Sequence, residues 1–128
     1  MVILASAQME TVYKYYLLLE TIKEGFDYIE ESFTNYERTQ ADMVLTDILK
    51  AFESINATNA YLSQWLTEEP CIIHGLERFT DVLEEAMALE GQLEDMNAKQ
   101  RVIQQRLSPA FQEWKRTIQE ALQPYVQQ

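Results

Sequence analysis

Cys71 and His74 stand three residues apart, a spacing that places both side chains on one face of a helix. Cys71 directly follows Pro70, and a helix N-terminus at that point lowers a thiol pKa. The active reading of the pair is a thiolate–imidazole couple, or half of a zinc site, in a metal- or thiol-dependent enzyme. Against it, the chain has no second cysteine or histidine, so carboxylates would have to complete a zinc site. Neighbours on one helix also align poorly for proton transfer. The flanking Ile72, Ile73 and Leu76 favour packing under a helix corner. The pair reads as structural.

Acidic side chains offer the other route to chemistry. Glu20, Glu24, Asp27 and Glu31 recur at helical spacing, as do Glu77, Asp81, Glu84 and Glu85. Facing one another in a core they would hold a metal, but they lie off the apolar stripes and read as solvated faces. A ferritin-like di-iron centre needs two Glu-x-x-His pairs, whereas the residue three before the one histidine is Cys71. There is no glycine-rich phosphate loop, nucleophile elbow or Cys-x-x-Cys pair. The expectation is a non-enzyme with no cofactor and no metal.

The elements that would position any site are helices. Met9, Val12, Tyr16, Leu19, Ile22, Phe26, Ile29, Phe33 and Tyr36 repeat every three or four residues. Ala41, Leu45, Ile48, Phe52, Ile55, Asn59, Leu62 and Leu66 do the same. The spacing predicts helix 1 from about Ala7 to near Tyr36, with Ser6 as N-cap and Asn35 closing it in a left-handed conformation. Helix 2 runs from about Gln40 to Leu66, capped by Thr39 with Asp42, and Thr67-Glu68-Glu69-Pro70 ends it. Helix 3 carries the stripe Ile72, Leu76, Phe79, Leu83, Ala86, Leu89, Leu93, Met96, then Ile103 and Leu107, weakened at Gly75 and Gly91, and Asn97 could mark a break. Ser108-Pro109 is a helix-start pair, opening helix 4 with Phe111, Trp114, Ile118, Leu122 and Tyr125. No loop separates helices 3 and 4, so the alternative is three rods with one kinked helix. The expected fold is therefore all-α, an up-and-down bundle of four long amphipathic helices forming a single domain over 1–128. Asn59 sits on a seam, either buried with a partner or turned outward.

Composition narrows the function classes. Of 128 residues 47% are hydrophobic and 24% charged, in the range of folded globular proteins. Residues 1–96 hold 19 acidic and 5 basic side chains, whereas 97–128 hold 2 acidic and 5 basic. A body this negative repels phosphate, which argues against nucleic acid and anionic membranes. Tyr15 to Leu19 is as long as any apolar run in the chain and is too short to span a bilayer. Met1-Val2-Ile3-Leu4-Ala5-Ser6 has no preceding positive residue and is too short for a secretory signal. One cysteine permits no internal disulfide, which fits a reducing cytoplasm.

These absences favour a small acidic cytoplasmic protein that binds other proteins, expected as a homodimer. An export-type chaperone or regulator of a secreted or flagellar subunit is the first alternative, and an enzyme using Cys71 and His74 the second. The candidate partner surface has two parts. On helix 1, Tyr13, Leu17 and Leu18 make the helix apolar nearly all round, which means central burial or contact with another chain. On helix 4, Trp114, Lys115 and Arg116 form a basic-aromatic face.

Overall fold

The computed structural model describes residues 1–35, 37 and 39–126; the predicted end of helix 1 at Tyr36 lies outside them. Helix α1 (Ser6–Ser32) turns Val12, Tyr15, Leu19, Ile22, Phe26 and Ile29 inward. The seam thus takes Tyr15 in place of the predicted Tyr16, which is only half-buried. Ser6 is the first helical residue and not the cap: Ala5 precedes the helix, and its N–H donates to the Gln8 side-chain oxygen at 2.8 Å. Asn35 is not left-handed either. Its side-chain oxygen instead accepts the Glu37 N–H at 3.0 Å, a local turn that competes with helix.

Gln40, and not the predicted Thr39, is the cap residue before helix α2 (Ala41–Trp65), and its N–H donates to the Tyr28 hydroxyl. Its buried face is Leu45, Ile48, Phe52, Ile55, Asn59 and Leu62, as the spacing predicts. Pro70 then occupies the first turn of α3 (Pro70–Glu77), where its missing N–H costs no bond. A joint at Arg78 leads into α4 (Phe79–Met87), so the two make one bent rod.

The third predicted helix does not reach Leu107. After Met87 the chain tightens into short turns, with the Leu89 N–H on the Ala86 carbonyl and the Gln92 N–H on the Leu89 carbonyl. Gly91 adopts φ +75°, a conformation that side chains with a Cβ resist. Asp95 then caps α5 (Met96–Val102), its carboxylate accepting from the Asn97 and Ala98 N–H groups at 3.1 Å each. Ser108-Pro109 consequently lies inside a rod and does not open one. A π-helical turn at Ile103–Leu107 joins α5 to α6 (Ser108–Val126). In it the Ser108 N–H reaches back five residues to the Ile103 carbonyl. Proline in a helix clashes with the carbonyl four residues earlier, and the widened turn just before Pro109 relieves that clash.

The result is an all-α bundle of four rods, with the fourth formed by α5, the π turn and α6. Successive rods pack side by side, and the fourth closes on the first. Tyr15 opposite Asn59 and Tyr28 opposite Gln40 make α1 and α2 antiparallel. Each rod sends a phenylalanine to one central layer. Phe26 and Phe111 lie 5.4 Å apart, Phe52 and Phe111 5.8 Å, and Phe52 and Phe79 5.6 Å between ring centroids. Pairs at these separations add about 0.5–1.5 kcal/mol each beyond the burial of their area. None of the described helices is long and apolar enough to cross a membrane.

Candidate functional site

Three places on this frame hold the side chains that sequence or shape singles out. The first is the face between the third rod and α6. Pro70 starts α3 so that Cys71 and His74, one turn apart, both line a cleft of about 290 Å³. Arg78, Asp81, Glu113 and Thr117 complete its polar wall, and Trp114 also lines it. Both Cys71 and His74 are exposed, so the expected packing under the helix corner does not occur. The apolar contacts there are made by Ile72 and Leu76 on the opposite side of the same turn. Arg78 is held by Asp81, its Nε 3.0 Å from a carboxylate oxygen. Among the described residues no group of three potential ligands converges to hold a metal.

The second place is the predicted partner surface, which the fold divides. Tyr13 and Leu17 are one helical turn apart on α1, 51% and 45% exposed, on the side away from the core. Leu18 is half-buried against the core. Trp114 is only 5% exposed, and its indole N–H donates to the Gly75 carbonyl at 2.8 Å. Its ring centroid lies 4.6 Å from that of Phe79. Lys115 is buried too, because α6 docks with this edge against α1 and meets the Glu20 carboxylate at 2.9 Å. Gln119 bonds both members of that pair. Hydrogen bonds from Lys115 and then Gln119 hold the Glu20 carboxyl below its ordinary pKa. Trp114 and Lys115 are thereby removed from any exposed surface. Of the basic-aromatic trio only Arg116 points to solvent, 3.7 Å from Glu120.

The third place was not anticipated. Where α1 ends and α2 and α5 begin, a second cleft of about 280 Å³ opens. Ile29 and Phe33 of the first rod, Leu45 of the second, and Met96 and Ile103 of the fourth form its apolar lining. Buried Lys99 spans from the fourth rod to Asp42, Nζ to carboxylate 2.7 Å, and ties the two walls together. Met43, Met87, Leu93 and Met96 are all exposed large apolar side chains, Met96 at 66%. Antiparallel packing brings all four to this end of the bundle. Leu93 and Met96 read as core in sequence, yet the turns after Met87 carry them out of register. Met43 and Met87 lie off the stripes, which was the available signal.

Comparison with known proteins adds family membership and no activity. Residues 10–117 match the family model described as Domain of unknown function (DUF8042), and the chain belongs to that family. The match runs from the second turn of α1 into the middle of α6, so it takes in all four rods. No curated protein and no solved structure matches.

Proposed function

We propose that this chain is a non-enzymatic protein-binding module of the cytoplasm, which engages its partner through the open end of the bundle. The observation that carries the reading is the contrast between a completed core and the apolar side chains left outside it. Every buried side-chain nitrogen and oxygen among the described residues has a hydrogen-bond partner, and a phenylalanine from each rod fills the centre. Met96 nevertheless lines an apolar cleft while largely exposed, and Met43, Met87 and Leu93 stand in solvent at the same end of the bundle. Methionine is unbranched and polarisable, so it adapts to varied apolar surfaces at little cost, a property suited to recognition.

Affinity capture from the native cell tests the reading when wild type is compared with a Met43→Gln/Met96→Gln variant. These exposed positions tolerate glutamine without loss of fold, and the variant should lose most of the captured partner. Equal recovery by both proteins rejects the open end as the binding surface. Self-association is a second reading, favoured by Tyr13 and Leu17 standing outward on α1. Chemistry at Cys71 and His74 is the weaker alternative, since Arg78, which lines their cleft, is committed to Asp81.

A further inference from the structure

The open end has a charge as well as a shape. The segments that build it, residues 28–47 and 84–101, contain ten acidic and three basic side chains. One of the three bases, Lys99, is buried and already paired with Asp42. Exposed Glu37, Glu90, Glu94 and Asp95 flank the loops beside Leu93 and Met96. At the opposite end, residues 1–14, 58–74 and 118–128 carry only four acidic side chains and one basic. Acidity is therefore concentrated at the end of the bundle where the cleft opens.

An apolar groove at an acidic end of the bundle suits a ligand having an apolar stripe bordered by positive charge. An extended cationic chain would satisfy the rim but leave alternate apolar residues facing solvent. A helix instead presents its apolar residues as one continuous stripe, with lysine and arginine on its flanks. A second copy of this chain does not fit end to end, because its own exposed end is equally acidic and would be repelled. We infer that the open end docks a cationic amphipathic helix of a partner protein, an inference that rests on the binding-module reading above. Flexible methionines seat the apolar stripe, while the surrounding carboxylates orient the helix and speed its encounter.

The test uses the full chain carrying methyl-labelled methionines and three synthetic peptides of about 18 residues, a length of about 27 Å when helical. One is a leucine–lysine amphipathic helix, one a leucine–glutamate counterpart, and one a scrambled leucine–lysine sequence without a stripe. The leucine–lysine helix should shift the methyl signals of Met43, Met87 and Met96 and leave those of Met1 and Met9, at the far end, in place. The other two peptides should bind at least tenfold more weakly. Raising salt from about 50 to about 300 mM should weaken the wild-type complex severalfold, since the charges are exposed. By calorimetry the Met43→Gln/Met96→Gln variant should bind about tenfold more weakly, with an unchanged helical spectrum as the folding control. Equal binding of the scrambled peptide, shifts centred on Met1 or Met9, or an unaffected variant would each overturn the inference. A natural partner recovered equally by wild type and variant, together with such a peptide result, would retain a binding module and remove this site. Peptide binding as described, with no native partner, would retain the site and remove the proposed function.

Discussion

The Tyr15 hydroxyl donates to the side-chain oxygen of Asn59 at 2.6 Å, joining α1 to α2 in the buried interior. This bond explains why the seam takes Tyr15 and not its neighbour Tyr16. A buried asparagine needs a partner, and only a tyrosine on the inward face supplies one across the gap. Replacing Tyr15 with phenylalanine should cost about 1–3 kcal/mol, because the Asn59 oxygen is left buried and unpaired. Tyr15→Phe with Asn59→Leu should recover much of that loss, measured by urea unfolding. If the double variant is no more stable than the single, the bond is not what Tyr15 contributes.

Alkaline unfolding provides a second handle on the same pair. Burial pushes the Tyr15 hydroxyl well above its ordinary value of about 10. A raised folded-state pKa gives a contribution fully present below about pH 10 and lost as the pH climbs towards the folded value. Stability should therefore fall above about pH 10, and Tyr15→Phe should shallow that decline. Tyr125, also raised by burial, supplies a residual slope. An identical alkaline limb in wild type and variant would contradict the assignment.

The seams of α1, α2 and α6 were legible because each core residue returns after three or four positions, from Val12 to Ile29 and from Phe111 to Tyr125. The break between the third and fourth rods was not. Leu89, Leu93, Met96 and Ile103 keep nearly helical spacing across it, so periodicity runs on where the backbone turns. Ser108-Pro109 gave a local start signal that the π turn overrides by absorbing the proline within a continuous rod. The open end was missed for the same reason. Its methionines become a surface only once the break at Gly91 is placed.

Gly91→Ala tests that break. A left-handed residue with a Cβ costs about 1–2 kcal/mol, and no nearby atom otherwise obstructs the added methyl. Thermal unfolding should show a loss of that order with unchanged helix content. A rise in both helicity and stability would mean that the turn is not fixed by Gly91.

The Glu20–Lys115 contact predicts behaviour in acid. The carboxyl pKa is lowered, so its contribution is present above about pH 4.3 and is lost as pH falls through the folded value. Glu20 is half-exposed, and solvent screening limits the effect to under about 1 kcal/mol. Glu20→Gln should flatten the acid limb of the stability profile slightly. Lys115→Ala should cost more, about 1–3 kcal/mol, since it also removes the buried stem that packs α6 on α1. Equal costs for the two would indicate that the stem contributes nothing.

Leu17 and Leu18 are adjacent in sequence and differ only in where α1 turns them, so one charge placed at each separates folding from association. Leu18 packs against the core, and Leu18→Glu should destabilise by about 1–3 kcal/mol because a carboxylate is pressed into apolar surroundings. Leu17 faces solvent beside Tyr13, and Leu17→Glu should change stability by no more than about 0.5 kcal/mol. Light scattering then decides what the outward face does. If wild type is a dimer and Leu17→Glu is a stable monomer, Tyr13 and Leu17 form the self-association surface, and Leu18 has no part in it beyond folding. If the mass is the same in both, that face makes no contact between copies.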